Sequence, residues 1–245
     1  MPRKLAVIAT TGLVICVACL GAAAVIDAPH WHGHGLGAEI FHLGDFESCR
    51  SEAQSEPGAT ANRRELAWDN SDKISIAVPA NVHYRPGTGE TISITGDPES
   101  IAHLRVRHHV IEQDCDGDQD EKVDITLPGR PFRSFTLAGS GTVDLDQLDQ
   151  PALEMVLAGS GTMKASGKAD TVKVTIAGSG DAHLGELAAK TVRLVIAGSG
   201  NAEIAPLDEA KIEIAGSGDV RLLTEPKKVD SNIFGSGRII HAAAH

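Results

Sequence analysis

Four residues combine reactive side chains with regular spacing: Asp181, His183, Glu203 and Asp219. Each stands one or three positions after a Gly-Ser-Gly triplet. Carboxylates and an imidazole repeated at that interval suit a cation-binding or sugar-binding patch, or the paired carboxylates of glycoside chemistry. Across successive repeats, however, the position one after the triplet reads Thr142, Thr162, Asp181, Asn201 and Asp219. The position three after it reads Asp144, Lys164, His183, Glu203 and Arg221. Alternating acids and bases are also what a cross-strand ladder of ion pairs requires. The four residues are therefore a candidate ligand face, with a structural salt-bridge ladder as the competing reading. No catalytic residue is assigned.

Other reactive groups carry less. The triplet serines lack the Gly-x-Ser-x-Gly order of a nucleophile elbow, and six copies have no matching set of histidines. A phosphate cradle would need a following lysine and a helix. His30, His32, His34 and His42 could ligate a transition metal, but glycine-spaced histidines in a linker are not preorganised, so no metal or other cofactor is expected. The acidic run Asp114–Asp120 resembles the start of a calcium loop. It has Gln119 where the sharp turn needs glycine and Ile125 where the closing glutamate belongs, and reads as a solvated turn. Cys49 and Cys115 are the two cysteines beyond the N-terminal apolar run, and in an oxidising compartment such a pair is expected to form a disulfide.

The elements that position these groups are announced by repetition. Gly-Ser-Gly recurs at Gly139-Ser140-Gly141, Gly159-Ser160-Gly161, Gly178-Ser179-Gly180, Gly198-Ser199-Gly200, Gly216-Ser217-Gly218 and 235–237, at intervals of 20, 19, 20, 18 and 19 residues. The first five triplets follow Ala138, Ala158, Ala177, Ala197 and Ala215; the sixth follows Phe234. Apolar residues flank the triplets at alternate positions: Leu137, Leu157, Ile176, Ile196 and Ile214 before them, and Val143, Met163, Ala182, Ala202 and Val220 after them. Period-2 alternation marks strands with one face in and one face out. A fixed period near 20 marks stacked units that cannot bury their apolar faces alone. The expected fold is all-β, a parallel β-solenoid of about six rungs of roughly 19–20 residues, each rung bent at its glycines, with about 4.8 Å between rungs. The serines would stack as a ladder of hydroxyls able to satisfy the corner backbone.

Composition agrees. Aromatic residues make up 3% of the chain and glycine numbers 26 of 245, which suits thin stacked layers filled by Val, Ile, Leu and Ala. A net charge of −11 argues against nucleic acid as a partner. Residues 1–28 form a signal peptide or membrane anchor: Arg3 and Lys4 precede an uncharged run from Leu5 to Ile26, with Ala22-Ala23-Ala24 as a cleavage site. Cys19 is a weaker lipoprotein candidate. Either reading exports the rest to the periplasm or cell envelope, with membrane contact only through that segment if it is uncleaved. Residues 29–64 read as a His-, Gly- and polar-rich linker, and 65–245 as the β domain, its repeats spanning 133–240. Before the repeats, runs such as Lys73–Val78, Thr91–Ile94, Leu104–Arg107 and Val123–Leu127 alternate as half-buried strands. His108 and His109, between two of these runs, would point to opposite faces of a strand and could not share a metal.

Tandem Ala-Gly-Ser-Gly units after an alternating strand region resemble the GIN domain family, the putative auto-transporter adhesin head domains. The resemblance extends from about Glu65 to the C-terminus. It implies a right-handed parallel β-helix in secreted or envelope-anchored proteins, and it brings no catalytic residues. The function expected is a non-catalytic adhesive or surface-binding module whose partner is a glycan or an envelope protein. The alternatives are a carbohydrate-active β-helix enzyme and a structural, self-associating envelope protein. The outward repeat columns carry no aromatic platform, which weighs against the enzyme.

Overall fold

The computed structural model describes residues 62–68, 71–113 and 122–242. The apolar N-terminal run, the histidine tract, Cys49, Cys115 and the acidic run around Asp118 lie outside the described residues.

The glycine triplets do stack. Gly139, Gly159, Gly178, Gly198, Gly216 and Gly235 stand in register on six successive rungs, and the strands on either side pair in parallel. The long strands β9 (Gly141–Gly159), β10 (Thr162–Gly178), β11 (Asp181–Gly198) and β12 (Asn201–Gly216) each make one coil. They are preceded by β8 (Ser134–Gly139) and followed by β13 (Asp219–Leu222), β14 (Lys228–Gly235) and β15 (Arg238–His241). The two glycines of a triplet act differently. The first has positive φ, +128° at Gly178, a conformation that disfavours a side chain. The second is needed for space: from Gly161 onward a Cβ there would meet a leucine or isoleucine of the preceding rung and its backbone too, as Gly180 would meet Gly161 O and Leu157.

The corner is closed by main chain rather than by serine hydroxyls. Ser179 N donates to Gly159 O at 2.9 Å, Ser199 N to Gly178 O at 2.8 Å and Ser217 N to Gly198 O at 2.9 Å. The serine residues themselves are exposed. The hydroxyl ladder expected from the sequence is thus unnecessary, because the backbone donors already find carbonyls on the preceding rung.

The interior is a set of aliphatic stacks. One column runs Ile74, Phe135, Met155, Val174, Leu194, Ile212; the next runs Ile76, Leu137, Leu157, Ile176, Ile196, Ile214. Every member is at most 1% exposed, and full burial of each such side chain is worth about 1.5–3 kcal/mol. Among the described residues no polar or charged residue is buried.

The N-terminal part belongs to the same coil. Strands β2 (Lys73–Ile76) and β3 (Ala80–Tyr84) pair in parallel with β8 and β9, forming a rung that turns at Val78-Pro79 without a glycine triplet. Strands β6 (Val110–Gln113) and β7 (Val123–Thr126) stack in parallel on the far side of β2 and β3. Spatial order therefore departs from chain order: Val110–Gln113 and Val123–Thr126 are outermost, then Lys73–Ile76 and Ala80–Tyr84, then Ser134 onward. The outer rung is covered by antiparallel strands. Here β4 (Thr91–Thr95) pairs β7, β5 (Leu104–Arg107) pairs β6, and β1 (Arg63–Ala67) pairs β4. A short helix, α1 (Pro98–Ala102), joins β4 to β5.

Two details differ from the sequence reading. β1 opens at Arg63, inside the stretch read as linker, because the Arg64 guanidinium donates to Leu104 O at 2.8 Å and ties the segment to the cap. His108 and His109 are the two-residue turn of the β5–β6 hairpin, His108 having φ 55°, and not consecutive residues of a strand. Of the described aromatics, all but Phe234 gather beside this cap: Phe132 lies 5.6 Å from Trp68, Tyr84 and Phe135 by ring centroids.

Candidate functional site

The strand that follows each corner carries two outward columns, because alternate residues share a face. The column nearest the corner reads Asp124, Asn81, Thr142, Thr162, Asp181, Asn201, Asp219, Arg238. It is knitted across rungs. Asn81 Nδ2 donates to Asp124 Oδ1 at 3.1 Å, and Asn201 Nδ2 to Asp181 Oδ1 at 2.9 Å. Asp219 N donates to Asn201 Oδ1, and Arg238 N to Asp219 Oδ1, each at 3.1 Å. The Arg238 guanidinium closes on Asp219 Oδ2 at 2.7 Å and holds that carboxyl below the usual carboxylate range.

The second column reads His83, Asp144, Lys164, His183, Glu203, Arg221, Ile240. Its order is His-acid-base twice over. In the first set His83 Nδ1 is 3.7 Å and Lys164 Nζ 4.0 Å from the Asp144 carboxylate. In the second, His183 Nδ1 is 3.3 Å and Arg221 Nη1 3.1 Å from the Glu203 carboxylate. The seam between the sets places Lys164 beside His183.

The four residues singled out in the sequence thus fall into two columns. His183 bonds Glu203 directly, whereas Asp181 and Asp219 are separated by Asn201 and engage their own column. They do not converge on a point. Among the described residues no group of three or more His, Cys, Asp or Glu side chains is arranged to hold a metal ion. Equivalent inter-rung pairs line the other faces, including Lys173–Glu154 at 2.9 Å, Lys190–Asp170 at 2.6 Å and Lys228–Glu209 at 2.6 Å. These side chains are a third or more exposed, where solvent screens such pairs and they contribute little to stability.

The second column forms one wall of a shallow groove of about 600 Å³ running along the rod. His83, Asp144, Lys164, His183 and Glu203 line it, with Asp146, Ser166 and Glu186 polar and Leu145, Ala165 and Leu223 apolar. The sequence placed His183 and Glu203 here. It did not bring in His83, whose rung has no glycine triplet, nor Asp146, Ser166 and Glu186, which lie past the bend that follows. A smaller groove of about 460 Å³ on another face is lined by Asp149, Lys168, Asp170, Lys190 and Leu207.

The stacked rungs, their shared glycine corner and their outward polar ladders define a parallel β-solenoid. Within it, residues 115–226 match the family described as "Putative auto-transporter adhesin, head GIN domain". The chain is also similar in fold to the crystal structure of a putative adhesin from Bacteroides fragilis, at 18% identity and a TM-score of 0.57, covering 74% of this chain and 96% of that one. A protein from Parabacteroides distasonis named as a putative lipid binding protein also matches, at 18% identity and a TM-score of 0.46, covering 74% of this chain and 96% of that one. No curated protein matches the chain significantly.

Proposed function

We propose that this chain is an adhesive, surface-binding head exported to the cell envelope, and that it binds along the groove beside the His83–Arg221 column without turning over its ligand. The observation that carries the reading is the double His-acid-base order, half-exposed and spread over six successive rungs. Such a wall offers alternating charge and hydrogen-bonding groups at about 4.8 Å intervals to an extended ligand lying along the axis. A polar, periodic contact suits a glycan or an extended envelope protein segment. The match of residues 115–226 to an adhesin-head family points the same way.

The pairing of the column supports binding. Asp144 is engaged by His83 and Lys164, and Glu203 by His183 and Arg221, all on neighbouring rungs and partly exposed. A general acid instead needs a carboxyl tuned by burial. The test is a glycan array and an envelope-extract pull-down with the full chain, compared with Lys164→Ala and His183→Ala. Retention by the native chain, weakened at least about tenfold in both variants, is the expected result, tenfold corresponding to about 1.4 kcal/mol. Shortening of an acidic polysaccharide by the native chain and its loss in His183→Ala would overturn the reading in favour of an enzyme.

A further inference from the structure

The two ends of the solenoid are finished differently. At the N-terminal end β4 and β5 lie antiparallel on the outermost rung. At the other end, among the described residues, β14 pairs only β12, and β15 only β13, so each leaves one backbone edge without a described partner. All eight residues of β14 are exposed. Val229 and Ile233 are 40% and 39% exposed, although they continue the inward stacks of Ala210 and Ile214. Phe234, 59% exposed, stands where the five preceding triplets have alanine. An open strand edge is a template for another strand unless it is blunted; β14 has no proline or bulge, and its two charges, Lys228 and Asp230, stand on the outward face, away from Val229 and Ile233.

We propose that β14 is a homotypic docking edge, on which a second copy of this chain adds its own β14 antiparallel across a two-fold axis at Ser231. The register follows from the side chains. Val229, Ser231 and Ile233 point inward and must oppose inward residues, so the two-fold axis must pass through a residue, and the three central choices are Asp230, Ser231 and Asn232. Centring on Asp230 sets two carboxylates face to face and Val229 against Ser231. Centring on Asn232 sets Asp230 against Phe234 and Ser231 against Ile233. Centring on Ser231 matches every pair: Val229 with Ile233, Asp230 with Asn232, and Lys228 with Phe234. The Lys228 ammonium is already held by Glu209 at 2.6 Å, so its alkyl stem is what covers the Phe234 ring. The same patch serves both copies, as a two-fold interface requires. The joined sheet would continue from β12 through both β14 strands into the second β12.

Register-specific cross-linking tests this on the full chain in its native fraction. Opposed residues of an antiparallel pair have Cα atoms about 4.5–5.5 Å apart, within disulfide reach. Under mild oxidation Ser231→Cys is expected to give a covalent dimer well above the native chain, whose own cysteines set the background. Asp230→Cys, whose copies sit two residues out of register, is expected to give at least tenfold less. Adding Phe234→Ala, which restores the alanine of the other rungs, should cut the Ser231→Cys dimer at least tenfold. The proposal is overturned by a dimer yield at the native background, as when another segment of the same chain covers this edge. Equal yields at 230 and 231, or indifference to Phe234→Ala, overturn it as well.

Discussion

His183 Nδ1 lies 3.3 Å from Glu203 Oε2, one rung away, while the other oxygen of that carboxylate accepts from Arg221 at 3.1 Å. Glu203 thus bridges the His183 ring and the Arg221 guanidinium along the axis of the rod, and its side chain is 35% exposed. A carboxylate shared in this way is already satisfied in the solvated surface. The histidine side chain, at 48% exposed, adds little to stability.

His183→Ala is therefore expected to leave the fold intact. Exposed ion pairs measure about 0.2–1 kcal/mol, which shifts the melting temperature by no more than roughly 4 °C in a chain of this size. Ligand retention in the groove should fall at the same time. A thermal melt beside a binding measurement separates the two effects, and a large loss of stability would show that the ladder is structural first.

The aromatic cluster beside the cap makes the opposite forecast. Phe132 is fully buried and touches Trp68, Tyr84 and Phe135 edge-on or tilted. Phe132→Ala should cost about 3–5 kcal/mol through lost burial and the cavity left behind. Tyr84→Phe removes only the hydroxyl that donates to Arg130 O at 2.9 Å, and should cost about 1 kcal/mol. Denaturant titration of both variants checks the ranking.

These contrasts mark where the sequence was legible. The triplet period named the corners, and the alternation around Ile176 and Met163 named the inward stacks, because each rung repeats the same steric problem. The rung built from Lys73–Tyr84 was hidden: its corner is Val78-Pro79, which solves that problem without the marker residues. The stacking of Val110–Gln113 outside Lys73–Ile76 was hidden too, since nothing local tells a strand which face of a rung it will join. His83 entered the groove only with that concealed rung. The role of Asn201 was visible as a position but not as a link, because a side chain that bonds Asp181 below and the Asp219 backbone above is defined only by the vertical register.

The corner glycines should separate sharply from the serine between them. At Gly178 φ is +128°, and a Cβ would run into the carbonyl of Gly159. Gly178→Val combines that clash with a conformation β-branched residues avoid, and about 3 kcal/mol or more should be lost. Ser179 is exposed, and its backbone N–H makes the bond to the rung below, so Ser179→Ala should stay within about 0.5 kcal/mol. Equal losses at the two positions would mean that the hydroxyl column matters after all.

The last rung should loosen in acid before the rest of the rod. It is fastened to its neighbour by Arg238–Asp219 at 2.7 Å, Lys228–Glu209 at 2.6 Å and Lys227–Asp208 at 2.7 Å. Hydrogen bonds from Arg238 and Lys228 hold the Asp219 and Glu209 carboxyls below their ordinary range. A carboxyl lowered in the folded state binds its proton more readily once released. Its contribution is therefore complete above the ordinary carboxylate range and disappears as the pH falls through the lowered folded value. Amide exchange, corrected for its intrinsic pH dependence, should rise in β14 and β15 on acidification while β10 and β11 stay protected. Asp219→Asn should remove much of that pH dependence in β15, because its carboxyl no longer titrates, and added salt should weaken the same fastening at neutral pH. Uniform exchange along the solenoid at every pH would show that the terminal rung is held by its backbone ladder alone.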